Sequence, residues 1–150
     1  MRAWINPVER PGQVAHLPGP WQDEPDEVVW FHEGLPCFIT RNGFGSWCGY
    51  VGVDESHPYY GHDDETEIEL NVHGGVTFAS RCDFRGAYFA SELNEHGDLF
   101  WIGFDCQHYN DLSPLWSEHP ANPNAVYRDL EYVVAETNRL AEQLSQSKHP

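Results

Sequence analysis

The chain has 150 residues, room for one domain and one core, and 40% of them are hydrophobic and 14% aromatic, six being Trp. So much large apolar side chain excludes a disordered polymer. Against 24 acidic residues stand only 8 basic ones, a formal net charge of −16, which repels nucleic-acid backbones and anionic lipid and excludes broad, sequence-independent nucleic-acid binding.

No run approaches the ~20 apolar residues of a membrane span. The opening Met1 to Pro7 lacks the apolar core of a signal peptide, so a cytosolic location is expected. Cys37, Cys48, Cys82 and Cys106 form no CxxC pair, which disfavours a structural zinc site of the usual spacing and leaves four small buried hydrophobes as their expected role. The acidity keeps the chain soluble, and it could also attract cations or a basic protein surface.

Residues 1–27 are rich in Pro and Gly and end in the acidic run Asp23, Glu24, Asp26, Glu27. They read as an irregular arm with Trp4 and Trp21 as docking anchors. Residues 28–104 read as β-rich. Val28 to His32 and Cys37 to Arg41 are strands about the turn Glu33-Gly34-Leu35-Pro36. After Asn42-Gly43, Trp47 to Val53 is a third strand, whose glycines allow close approach of another chain or a ligand. A polar loop with His57, His62, Asp63 and Asp64 follows.

The clearest alternation comes next: Ile68, Leu70 and Val72 on one side, Glu67, Glu69, Asn71 and His73 on the other. Gly74-Gly75 could close a two-residue hairpin into Val76 to Ser80. Arg81 to Asp98 is ambiguous, whereas Leu99 to Phe104 is nearly all apolar and predicts a central strand. Asp111 to Asn124 reads as a proline-containing loop. Val126, Leu130, Val133, Val134, Thr137, Leu140, Ala141 and Leu144 share one helical face, which predicts a long helix over about 124–146, capped by Asn122 or Asn124. The expected architecture is an α+β domain, a mostly antiparallel sheet covered by this C-terminal helix.

Two segments carry candidate chemistry. In Asn71 to Phe78, His73 stands beside the backbone N–H groups of Gly74 and Gly75, which could receive an anion or a carbonyl oxygen, with Thr77 nearby. A plain hairpin turn is the alternative. In Gly103 to Asp111 the chain leaves a strand, and Asp105, His108 and Asp111 gather two carboxylates and an imidazole within seven residues. That set could hold a divalent metal, which makes such an ion the candidate cofactor, or could orient a water or a histidine. A loop whose Asp and Asn residues form backbone turns competes with it. His57 and His62 with their acidic neighbours are a third cluster, read as solvated. Cationic contacts for an anionic ligand would come from Arg41, Arg81, Arg85 or Arg128, the last also spaced to pair with Glu131.

The runs Cys48-Gly49-Tyr50-Val51-Gly52-Val53, His57-Pro58, Val72-His73-Gly74-Gly75-Val76-Thr77-Phe78, Gly103-Phe104-Asp105-Cys106-Gln107-His108 and Tyr127-Arg128-Asp129-Leu130-Glu131-Tyr132-Val133 resemble a group of small phage and prophage proteins. The resemblance spans about residues 47–144. It implies a viral origin and, by analogy of setting, a role in countering host defence, and it brings no activity or site residue with it.

Three functions follow as expectations. The first is capture of a nucleotide-derived small molecule, using aromatic stacking and the contacts His73, Gly74, Gly75, Thr77, Asp105, His108, Tyr50 and Arg41. The second is a hydrolase of phosphodiesterase type, with His73 and His108 as acid and base, assisted by Asp105, and with Asp105, His108 and Asp111 as metal ligands if one is used. The third is an acidic mimic of nucleic acid that blocks a host protein. The chain is compatible with a homo-oligomer and predicts no membrane partner.

Overall fold

Two apolar strand faces and one apolar helix stripe need burial, and one sheet with a helix laid on it satisfies all three. The computed structural model describes residues 1–5, 17–82, 84, 87, 89, 93 and 98–147. Its strands are β1 (Arg2–Trp4), β2 (Glu27–His32), β3 (Leu35–Arg41), β4 (Trp47–Val53), β5 (Phe78–Arg81) and β6 (Phe100–Asp105). They form a six-stranded sheet in the order β1-β2-β3-β4-β6-β5, every neighbouring pair antiparallel. The helix α1 (Leu130–Gln146) packs across β2, β3 and β4. The domain is α+β.

Alternation along the strands divides the core in two. Toward α1 point Val28, Ile39, Trp47, Val51, Ile102 and Phe104, meeting Val133, Leu140, Ala141 and Leu144. On the other face Val29, Phe38 and Trp101 pack with Tyr50, Phe78, Phe84 and Phe89. With both faces covered, β6 has no solvated side, so its run Phe-Trp-Ile-Gly-Phe is apolar throughout. At Gly49 the helix comes so near β4 that a Cβ would stand 2.5 Å from Thr137 Oγ1. The glycine predicted to admit a neighbouring chain admits α1.

The described parts of the arm, residues 1–5 and 17–27, take more regular structure than their composition suggests, and residues 6–16 lie outside the described residues. Arg2, Ala3 and Trp4 add β1 to the sheet edge opposite Val29, Val28 and Glu27. Pro20–Asp23 forms a 3-10 turn that buries Trp21, whose indole meets the Tyr127 ring edge-on with centroids 5.1 Å apart.

The buried side chain of Arg41 explains this order. Its Nε donates to Asp26 Oδ1 at 3.1 Å, and its Nη2 to Glu24 Oε1 at 3.2 Å and to the Pro25 carbonyl at 3.2 Å. Its Nη1 donates to the Gly45 carbonyl at 2.9 Å and to Tyr127 Oη at 3.0 Å. The guanidinium also lies 4.0 Å from the centroid of the Trp47 ring. Arm, β3, the following turn and the approach to α1 therefore meet on one cation.

Two predicted elements differ. Ile68 and Val72 are buried as their alternation requires, but residues 68–73 join no strand and Gly74-Gly75 closes no hairpin. The segment lies along α1, and helix side chains replace strand partners. Gln143 binds the Asn71 N–H and carbonyl, both at 2.8 Å, and Glu136 Oε1 accepts the His73 N–H at 2.9 Å. The helix starts at Leu130, later than its periodicity suggested. Asp129 caps it through the Tyr132 N–H at 2.9 Å, and Glu24 Oε2 accepts the Leu130 N–H at 2.6 Å. Val126 is pulled out of the helical register by a bridge to Asp111 and is exposed. At the other end His57 donates from Nε2 to the Leu144 carbonyl at 2.8 Å, since its Nδ1 accepts the Tyr59 N–H at 3.0 Å. Part of the ambiguous Arg81 to Asp98 stretch, Arg85 included, lies outside the described residues.

Removing the Arg41 charge while keeping its bulk would take from buried Glu24 and Asp26 the cation they share. Arg41→Met is expected to destabilise the domain by about 3–5 kcal/mol, read as a lower urea midpoint at unchanged slope.

Candidate functional site

Three chain segments arrive at one place. The turn after Val72 closes through the Gly75 N–H on the Val72 carbonyl at 2.8 Å and leaves His73 at its corner. The strand β6 ends at Asp105, and the next residues turn back so that the Asp111 N–H meets the His108 carbonyl at 2.9 Å. The third segment, Val126 to Arg128, runs beside Asp111, with the Val126 N–H on the Asn110 carbonyl and the Leu112 N–H on the Val126 carbonyl, both at 2.9 Å.

Asp111 is the hub. Its side chain is 1% exposed, and four donors address it. Arg128 Nε donates to Oδ1 at 2.8 Å. On Oδ2 converge His73 Nε2 at 2.9 Å, the His108 backbone N–H at 3.0 Å and His108 Nδ1 at 3.1 Å. Burial works to raise the Asp111 pKa, but the bonds from His73, Arg128 and the His108 amide outweigh it and hold the carboxyl below its ordinary value of 3.8. Asp111 is therefore an anion at neutral pH.

The two histidines differ in freedom. His73, with a side chain 13% exposed, also binds Tyr132 Oη through Nδ1 at 2.7 Å, so both ring nitrogens are engaged. The side chain of His108 is 38% exposed, and among the described residues its Nε2 has no hydrogen-bond partner. The two rings stand edge to face, centroids 5.6 Å apart. Gly74 makes this fit possible. Its φ is +68°, and a Cβ there would stand 2.3 Å from the His108 ring.

His108 and Asp111 form the polar end of a cavity of about 450 Å³ whose walls include Tyr109, Leu112, Trp116, Pro120 and Asn122. Trp116 lies in a 3-10 turn, Pro114–Trp116, and stacks on Phe44 at 6.2 Å. Asn122 Nδ2 secures the far wall on the Tyr109 carbonyl at 3.2 Å and on Asn110 Oδ1 at 3.1 Å.

Of the predicted site residues, the structure brings His73, Gly74, His108 and Asp111 together. Asp105 faces the other side of the sheet, where its carboxylate accepts from Thr77 Oγ1 at 3.1 Å and the Gln107 N–H at 3.0 Å. It stands 3.7 Å from His108 Nδ1, so the tightest potential metal-binding group among the described residues is His73, His108 and Asp111, with one ligand atom from each within 4.8 Å of the others. His73 takes the third place that sequence spacing offered to Asp105. Tyr50, Thr77 and Asp105 line a separate recess of about 290 Å³.

Arg41 is spent on the arm, and the Gly75 N–H on its own turn, so neither is free for an anion. Cys48 and Cys106 are buried and their thiols pushed up, Cys48 to about 12, which suits packing and not nucleophilic attack. Tyr132 and Trp116 were not singled out by chemistry in the sequence. Arg128, expected as a cationic contact for an anion or as a partner of Glu131, pairs instead with Asp111. The run Tyr127 to Val133 marked Tyr132, and nothing marked Trp116.

Such a group can do two things. A buried carboxylate that fixes an imidazole leaves the free ring nitrogen to move protons. The same three side chains can also share a cation.

Two measurements check this geometry. Gly74→Ala is expected to cost roughly 1–2 kcal/mol for its left-handed backbone and to displace the His108 ring, visible as shifted imidazole resonances by NMR. For Asp111 the folded pKa lies below the unfolded one. Its stabilising contribution is thus complete at pH well above 3.8 and is lost as pH falls through the folded value. The stability gap between wild type and Asp111→Asn, measured by urea unfolding, should shrink as pH is lowered through that range.

No protein-family model, no curated protein and no solved structure matches the chain, and what the site does is argued from its own residues.

Proposed function

We propose that the cavity beside His108 and Asp111 captures a nucleotide-derived small molecule, as a phage-type protein countering host defence would. One observation supports this most: a concave space of about 450 Å³ whose lining joins Tyr109, Leu112, Trp116 and Pro120 with the polar groups of His108, Asp111 and Asn122. Ligand sites are built in this way, and the volume suits a nucleoside-sized molecule. Tyr109 and Trp116 offer ring faces to a flat base. Among the described residues no helix is long and apolar enough to cross a membrane, which accords with a ligand met in water.

A second reading has its own support. His108 is oriented by Asp111 through Nδ1 at 3.1 Å while its Nε2 has no hydrogen-bond partner among the described residues, the arrangement a general base or acid needs. On this reading the captured molecule is hydrolysed, and His73 acts as a positioning residue for Asp111. Against a covalent route, the hydroxyl of Ser113 at the cavity wall is held by Ser46 Oγ at 2.6 Å.

The test is to incubate the purified protein with cyclic dinucleotides and ADP-ribose-type molecules, remove free ligand by filtration, and heat the protein to release what it holds. Intact ligand is expected in the released fraction. Trp116→Ala should weaken retention about tenfold, from the loss of ~1–3 kcal/mol of stacking. A new product that disappears in His108→Ala would replace capture by hydrolysis. Ligand neither held nor changed would overturn both readings.

A further inference from the structure

The cavity's polar end has a charge problem. Among the described residues that line it there is no Lys or Arg, while Asp111 is an anion at its floor. The nearest cation, Arg128, is committed to Asp111 Oδ1 at 2.8 Å. A phosphate-bearing ligand would find no positive charge in a protein of net charge −16.

We propose that the chain binds one divalent transition-metal ion through His73 Nε2, His108 Nδ1 and Asp111 Oδ2. Asp111 Oδ2 lies 2.9 Å from His73 Nε2 and 3.1 Å from His108 Nδ1. Two ligand atoms bonded to one ion at ~2.1 Å stand roughly 3.0 Å apart at a right angle and roughly 3.4 Å apart at the tetrahedral angle, so both separations lie near such an edge, and all three ligand atoms lie within 4.8 Å of one another. The ligands come from three positions held by other contacts, so the site is organised before the ion arrives. Gly74 lets the His108 ring lie against the turn that carries His73.

Outer contacts are present as well. Tyr132 Oη on His73 Nδ1, at 2.7 Å, fixes that ring with Nε2 toward the site. Arg128 occupies Oδ1 of Asp111 and leaves Oδ2 for the ion. Partners of this kind orient metal ligands and tune their affinity.

Two imidazoles and one carboxylate select zinc, cobalt, nickel or iron over magnesium and calcium, which take oxygen ligands. Three protein ligands leave coordination positions open, and two of the three, His108 and Asp111, line the cavity. There the ion would receive a water or a phosphoryl oxygen and supply the missing positive charge. With Nδ1 on the metal, His108 Nε2–H becomes a donor. The metal site rests on its ligand geometry and not on the identity of the captured molecule.

The experiment uses the full chain, freed of metal by chelation, and the metal alone. Titration with Zn²⁺ by calorimetry should give one site per chain, and Co²⁺ should give visible ligand-field absorption. Saturating Zn²⁺ at ~100 times its Kd should raise the Tm by about 5–10 °C, and Mg²⁺ should raise it little. His73→Ala and His108→Ala should each weaken Zn²⁺ by roughly 100-fold or more, and Tyr132→Phe by about 10-fold, with circular dichroism showing an intact fold.

The chain has nine histidines, so the variants decide the matter. Equal Zn²⁺ affinity and stoichiometry in wild type and both alanine variants would place the metal elsewhere and overturn the inference. No binding to wild type would do the same, even if nucleotides are retained without metal. Metal bound at this site with no nucleotide retained would uphold the inference and defeat the capture reading alone.

Discussion

The buried guanidinium of Arg41 is the constraint on which the remaining structure depends. A charge taken fully out of water is tolerated only when its donors are all answered, and this one meets Asp26, Glu24, Pro25, Gly45 and Tyr127. Those partners belong to the arm, the turn after β3 and the residues leading into α1. The arm cannot drift from the sheet, because leaving would strand a cation. Glu24 carries the constraint onward, since its second oxygen accepts the Leu130 N–H and so fixes where α1 begins.

From that fixed start the geometry passes to the site. Tyr127 is held by Arg41 on one side, and its neighbour Arg128 reaches Asp111 on the other. The stretch Val126 to Asp129 is thus tied between the buried pair Glu24 and Asp26 under the arm and the single buried carboxylate of Asp111 at the cavity. The helix then presents Tyr132 and Glu136 to the turn carrying His73, the first to its ring and the second to its backbone N–H. The site is a by-product of how α1 is anchored, which is why its members come from segments far apart in sequence.

Electrostatics gives the site its direction. Asp111 stays ionised although buried, because bonds from His73, Arg128 and the His108 amide outweigh its desolvation, and its negative charge in turn holds both imidazoles. A cavity with aromatic walls, an anionic floor and no lining Lys or Arg among the described residues is poorly suited to a phosphate by itself and well suited to one brought with a metal ion. Capture, hydrolysis and metal binding therefore share one polar floor and differ in what enters it.

Short β-rich runs beside turn signals made β2, β3 and β4 legible, an almost wholly apolar run did so for β6, and the spacing from Leu130 to Leu144 showed the helix stripe, since all of these are local properties of the chain. Ile68 and Val72 show the limit of that reading. Alternation revealed which side chains are buried, but whether the backbone finds a strand or the side chains of Gln143 and Glu136 is a matter of neighbours. Proximity in sequence likewise put Asp105 beside His108 and Asp111, whereas strand parity sends Asp105 to the opposite face. The sequence by itself determined the α+β class, the two chemically loaded segments and the acidic character. Only tertiary structure decided that His73 joins His108 and Asp111, that Arg41 is structural, and that Trp116 lines a cavity. Those outcomes depend on pairings between segments tens of residues apart, and no local pattern of residues encodes such a distance.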